Sequence, residues 1–180
     1  IEKNLSDCIL YFDEAHNLVK KCRELLYSSL SKITLEKAIK ESKEFNLSLE
    51  KELETIKNRL IELSNSLGIA ENEKLISKKD FCFDENLILK LDVNSEIVLE
   101  KKQKSAVKSI ANFFNSWNGP DYSFVRILAR NFLKTGKPSY NIVYQCLDPS
   151  LIFSDLKPYS MILMSGTLTP QNMYTDLLNL

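Results

Sequence analysis

The stretch Ile9-Leu10-Tyr11-Phe12-Asp13-Glu14-Ala15-His16-Asn17 constrains the fold more than any other part of the chain. A nearly continuous apolar run, Cys8 to Phe12, suits a strand covered on both faces, because a half-wet strand would alternate apolar and polar residues. Such a strand belongs in a parallel sheet. The two carboxylates that follow then stand at its C-terminal edge, where α/β folds place their ligands. Adjacent Asp and Glu at that edge suit metal and nucleotide chemistry, one carboxylate helping to hold Mg²⁺ and its neighbour orienting the water that attacks a terminal phosphate. The plainer alternative is an acidic loop that opens an ordinary helix, since acidic residues are usually solvated.

A second run of the same kind, Met161-Ile162-Leu163-Met164, ends in the compact turn Ser165-Gly166-Thr167. Between the two runs the pattern is mostly helical. Leu18, Cys22, Leu25 and Leu26 fall three and four apart and can pack one face on a sheet, and Ser28-Ser29-Leu30-Ser31 marks an exit from the first unit near residue 30. Thr34 is expected to cap the next helix. Leu49, Leu53, Ile56, Leu60, Leu63 and Leu67 then repeat at four and three, a coiled-coil seam with charged residues on the other faces, and Gly68 supplies a stop. Residues 71–92 read as irregular, with Asn72, Asp80, Asp84 and Asn86 as turn or cap residues.

Helical character returns after Ser95 and runs through Ile97, Val107, Ile110 and Phe114 to Trp117. On that segment Lys101, Lys104 and Lys108 would form one positive stripe, and Lys102 stands beside it. The stripe is either a phosphate-contacting patch or a solvated face, and the Phe113-Phe114 and Trp117 cluster reads as core ahead of a base-stacking platform. Asn118-Gly119-Pro120-Asp121 breaks the helix. Phe124 to Leu128 fits strand or helix, Tyr140 to Leu147 has strand character, Asp148-Pro149-Ser150 is a turn before Leu151-Ile152-Phe153, and Met173 to Leu180 is a last short helix.

Two similar apolar strands around an amphipathic helical middle form the pattern of an insertion: a parallel α/β core is left for a module of roughly a hundred residues and then resumed. Both polar turns would then lie near one another at the same sheet edge. The 44% hydrophobic content can supply a core, and a formal net charge of 0 excludes a uniformly basic nucleic-acid-binding surface, leaving local patches. Cys8, Cys22, Cys82 and Cys146 form no closely spaced pair, which argues against a zinc site or a disulfide scaffold and for reduced thiols in a cytosolic chain. No apolar run reaches the roughly 18 residues of a membrane span. None of Gly68, Gly119, Gly136 and Gly166 begins a phosphate-binding loop ending in Gly-Lys-Ser or Gly-Lys-Thr, so the carboxylates bring no phosphate cradle of their own. A start without Met and an abrupt stop are what a piece of a larger protein would show.

Asp13-Glu14-Ala15-His16 matches the DEAH box of superfamily 2 helicases. Taken with Asn17-Leu18, the return through Leu147-Asp148-Pro149-Ser150-Leu151-Ile152-Phe153 and the run Met164-Ser165-Gly166-Thr167-Leu168-Thr169-Pro170, the chain resembles the XPD family of iron-sulfur DNA helicases. The resemblance implies a RecA-like α/β motor-domain portion interrupted by a predominantly helical Arch insertion: residues 1–30 in motor domain 1, 31–137 in the Arch, and 138–180 back in motor domain 1. It implies ATP and Mg²⁺ as cofactors, with Asp13 assisting Mg²⁺ coordination through water, Glu14 orienting the hydrolytic water and accepting its proton, and His16 coupling nucleotide state to the core. Ser165 and Thr167 would belong to the coupling motif, with Gly166 permitting a tight turn. The family's 4Fe-4S cluster would have its four ligands before Ile1, so none of the present cysteines is assigned to it.

The resemblance further implies 5′-to-3′ translocation on single-stranded DNA and unwinding of forked DNA in nucleotide excision repair, with repair-complex proteins as partners. The setting would be the cytoplasm of a prokaryotic or archaeal cell or the nucleus of a eukaryotic one. Without a phosphate loop or a second motor domain, this segment alone is expected to be inactive. A DinG-like helicase of the same iron-sulfur group predicts the same chemistry, and a non-enzymatic Arch-type module docking DNA or protein is the reading of a different class.

Overall fold

The computed structural model describes residues 4–154 and 156–179, with Gln171 described by its backbone alone. The outermost residues of the expected first and last segments, 1–3 and Leu180, lie outside the described residues, as does Asp155. The chain divides into two compact units, one formed by both ends, up to Tyr27 and from Gln145, and the other by Ser28–Tyr144.

In the first unit, β1 (Ile9–Phe12) pairs in parallel with β6 (Ser160–Leu163), Phe12 standing opposite Leu163. Around them lie α1 (Leu18–Leu25), α6 (Leu151–Ser154) and α7 (Gln171–Leu178). Alternate strand residues Phe12, Met161 and Leu163 pack toward a small core of Cys22, Phe153 and Leu178, and the Phe12 and Phe153 rings meet edge-on at 5.9 Å. The strands are parallel as expected; among the described residues these helices cover one face, and Ile9 (48% exposed) and Tyr11 (62%) stand on the other.

The second unit begins within β2 (Tyr27–Ser31), which joins a four-stranded sheet in the order β2-β5-β4-β3, with β3 Glu73–Leu75, β4 Phe124–Phe132 and β5 Pro138–Cys146. β3 and β4 are antiparallel. At the turn between β4 and β5, Gly136 has φ of 75°, a conformation that favours glycine. In this sheet β5 lies between β4 and β2, and the division between the units falls within β5, after Tyr144. The middle of the chain is therefore mixed α/β, with the sheet added to the helices that the apolar periodicity predicts.

Those helices are α2 (Lys32–Phe45), α3 (Glu50–Ser64), α4 (Glu85–Leu99) and α5 (Ala106–Trp117). Ser31, not Thr34, caps α2: its hydroxyl accepts the Thr34 N–H at 3.1 Å. Leu49, Leu53, Ile56 and Leu60 are fully buried, so the seam exists, but α3 ends at Ser64 and Gly68 stands beyond the helix. The single helix expected after Ser95 is two: α4 begins within the stretch read as irregular, capped by Asp84, and α5 begins anew with Ser105 as cap. The reason lies between them, since Glu100 to Ser105 is six polar residues with nothing to bury and a good cap at its end. Phe124 to Leu128, ambiguous from sequence, is strand.

Phe81, Phe113, Phe114 and Trp117 fill the centre of this unit. The Phe81 and Phe114 rings stack at 5.9 Å and the Phe113 and Trp117 rings at 5.5 Å. This settles the aromatic cluster as core. Arg126, 5% exposed, donates to the carbonyls of Trp117 (2.8 Å) and Gly119 (3.0 Å), pairs with Asp121, and lies over the Trp117 and Tyr144 rings. It fastens the end of α5 to β4. No helix among the described residues is long and apolar enough to cross a membrane.

Two expectations follow for the chain itself. Phe81→Ala removes a fully buried ring and should destabilise the second unit by about 3–5 kcal/mol, read by denaturant titration of the fluorescence of Trp117, the chain's single tryptophan; a midpoint equal to that of the unaltered chain would contradict the packing. Burial pushes the Cys22 and Cys146 thiols above their ordinary value of 9.0, while Cys82 is exposed. A thiol reagent should therefore label Cys82 in the native chain and reach Cys22 and Cys146 only on unfolding. Keeping those two thiols neutral favours the fold fully below pH 9.0, and the contribution is lost as pH rises above that value, because the unfolded chain ionises first.

Candidate nucleotide and coupling site

The parallel pairing sends β1 and β6 out of the sheet at the same edge. Past the last paired residues the two chains stay joined, Met164 N–H donating to the Phe12 carbonyl at 2.9 Å and Ala15 N–H to the Met164 carbonyl at 2.9 Å. Buried Ala15 thus anchors the Asp-Glu-Ala-His turn to the Ser-Gly-Thr turn through its backbone. The motif shows the need for a small residue here only once the second strand is in place.

Asp13 and Glu14 are both exposed at this edge. Glu14 takes the left-handed backbone conformation, φ 50° and ψ 42°, uncommon for a residue with a Cβ. Asp13 supports it, one carboxylate oxygen accepting the Glu14 N–H at 2.8 Å. The left-handed residue reverses the chain into a short 3₁₀ turn, Ala15–Asn17, which leads into α1.

His16 bridges the two turns. Its Nδ1 lies 2.8 Å from the Ser165 hydroxyl and 3.1 Å from a Glu14 carboxylate oxygen. The ring and the Ser165 hydroxyl can each donate to the other, according to which ring nitrogen carries the proton, while the Glu14 carboxylate stands at ion-pair distance from the same nitrogen. The Ser165 hydroxyl also accepts the Thr167 N–H at 3.3 Å. A continuous polar chain therefore runs Glu14, His16, Ser165, Thr167. Glu14 and His16 are too exposed for the pair to add much stability, so its consequence is orientation. Gly166 is not required by the turn: its φ lies outside the left-handed region, and an added Cβ would meet nothing within 4 Å. His16 also lines an open pocket of about 450 Å³ with Lys20, Arg23 and Tyr27.

The donor set fits a magnesium ion that arrives with its nucleotide. Mg²⁺ takes one or two carboxylates, water and substrate phosphates rather than a dedicated protein cage, and Asp13 and Glu14 stand exposed at the strand end to offer such carboxylates. The four cysteines are free, Cys22 and Cys146 buried, Cys8 half-buried and Cys82 exposed.

The lysine stripe does not form on one helix. Lys101 and Lys104 lie in the connection between α4 and α5, and Lys108 lies on α5. Lys101 approaches the Phe45 ring, its Nζ 5.7 Å from the centroid. Lys108 donates to Asp92 at 2.8 Å and Glu96 at 2.7 Å, and these carboxylates raise its pKa. Of the three, Lys104 alone stands on the surface with no such neighbour among the described residues.

No protein-family model and no curated relative matches the chain. Solved structures do. One described as "XPD_Helicase" superposes with a TM-score of 0.67 at 24% identity, covering 100% of this chain and 31% of that one. A second, "XPD_APO", gives 0.65 at 25% identity, with 100% and 34% covered. "Structure of S. tokodaii Xpd4" gives 0.57 at 21% identity, with 92% and 34% covered. From the Asp-Glu-Ala-His turn to the Ser-Gly-Thr turn, then, the chain has the fold of an XPD-helicase fragment, spanning about a third of the length of the structures that it matches.

Proposed function

We propose that the chain is the part of an ATP-dependent DNA helicase in which the nucleotide-hydrolysing carboxylates meet the coupling turn. The observation that carries this reading is the His16 to Ser165 hydrogen bond, which joins the Asp-Glu-Ala-His and Ser-Gly-Thr motifs across 149 positions of sequence. Asp13 would hold Mg²⁺ through water, its second carboxylate oxygen being unengaged by Glu14. Bound Mg²⁺ supplies charge neutralisation on the terminal phosphates. Glu14, turned out by its left-handed backbone, orients the attacking water and accepts its proton. His16 senses that change through the contact it shares with Glu14 and passes it to Ser165 and Thr167.

In the whole protein this chemistry drives 5′-to-3′ translocation on single-stranded DNA and separation of forked duplexes, with DNA repair as its setting. The central unit is the Arch, and the flanking segments belong to motor domain 1. The phosphate loop, the second motor domain and the ligands of a 4Fe-4S cluster are assigned outside this chain, which alone is not expected to hydrolyse ATP.

In the full-length protein, Glu14→Gln should keep ATP binding and lower DNA-stimulated hydrolysis by about 10²–10⁴-fold; near-normal turnover would remove Glu14 from the chemistry. Ser165→Ala deletes the bridge to His16 while leaving both carboxylates. ATP hydrolysis should survive and strand separation should fall, measured on the same preparation with a forked substrate. Equal loss of both activities would argue that Ser165 serves hydrolysis itself and not coupling.

A further inference from the structure

We infer that the Ser28–Tyr144 unit carries a phosphodiester-contacting patch formed by Lys37 and Lys40 of α2 together with Lys104 of the α4–α5 connection. These three exposed lysines border one open pocket of about 460 Å³. Lys37 and Lys40 are three positions apart on a helix and so stand on neighbouring faces. Lys104 reaches the same pocket from a segment more than sixty residues away. The other charged residues around it are already engaged: Glu44 pairs with Lys102 at 2.8 Å, and buried Glu41 accepts the Ser105 hydroxyl at 2.7 Å and the Val107 N–H at 2.9 Å. Among the described residues no carboxylate lies within ion-pair distance of Lys37, Lys40 or Lys104. Four lysines against two glutamates leave the pocket two positive charges in a chain whose net charge is 0.

The form of the patch selects its ligand. A single small anion is held by converging donors, several of them fixed and desolvated, such as a bidentate arginine. Here three long, solvated, unpaired side chains are spread around an open rim. That suits repeated charges along an extended polyanion, each contact adding through counterion release and none reading a base. A single DNA strand has that character. The assignment rests on the helicase reading.

The test is a salt titration of the full-length protein on two unrelated single-stranded oligonucleotides, comparing the unaltered protein with the triple variant Lys37→Gln, Lys40→Gln, Lys104→Gln and with the triple Arg variant. For single strands the slope of log K against log salt changes by about 0.7 for each phosphate contact. The Gln variant should therefore lose about 2 from the slope on both oligonucleotides, and the Arg variant should restore it. An unchanged slope in the Gln variant, with tight binding retained, overturns the patch and leaves the helicase reading standing. Failure of the unaltered protein to bind either oligonucleotide overturns the DNA reading and the patch with it.

Discussion

The candidate site depends on one pairing between strands some 150 residues apart. The parallel register of β1 on β6, with Phe12 opposite Leu163, decides which residues leave the sheet together. A slip of one position would turn every side chain of a strand to the other face and part His16 from Ser165. Among the described residues that register is held by a four-residue ladder, by the backbone bond of Tyr159 to Cys8 before it and those of Met164 and Ala15 beyond it, and by the core of Cys22, Phe153 and Leu178. The same apolar contacts that cover one face of the strands therefore position the polar chain at their end.

The second unit is held by different physics. Its core is a helical seam joined to an aromatic cluster, and its polar interior consists of groups that tie elements together. Glu41 is the clearest: buried on α2, it caps α5 by accepting the Ser105 hydroxyl and the Val107 N–H. A buried carboxylate is tolerated where donors satisfy it, and a helix N-terminus supplies both N–H groups and favourable dipole. Arg126 does the corresponding work at the other end of α5, its guanidinium donating to the carbonyls released where the helix stops. Both ends of one helix are thus fixed by charged side chains of other elements. With Glu41 turned inward in this way, Lys37 and Lys40 on the same helix are left to the solvent.

The sequence made legible what short-range patterns encode. Continuous apolar runs announce β1 and β6, threes and fours announce α3, and the residues at the strand ends are those that meet at the sheet edge. Patterns failed where two signals competed. The spacing from Ile97 to Phe114 remains helical across Glu100–Ser105, so periodicity alone joins α4 to α5, although six polar residues leave nothing to pack. Ser31 and Thr34 are both cap residues, and the one that starts the helix is fixed by where β2 ends. The lysines failed for a further reason: Lys108 is neutralised by Asp92 and Glu96 across a helix pair, and Lys104 gains Lys37 and Lys40 as neighbours only through the tertiary fold.

Asp13 and Glu14 show how far identity and geometry can separate. Adjacent and chemically alike, they are distinguished by the backbone. Asp13 spends one carboxylate oxygen on the Glu14 N–H, which leaves the other, on the reading proposed above, for a hydrated cation. Glu14 carries the left-handed turn that this bond supports, and its side chain is delivered to His16. A non-glycine residue in that conformation is strained, and such strain persists where surrounding bonds over-determine it. Here those bonds are the Asp13 contact on one side and the Ala15 to Met164 anchor on the other. On the reading proposed above, the turn at Glu14 and the His16 contact therefore link a carboxylate that faces the nucleotide to a hydroxyl in the turn that follows β6.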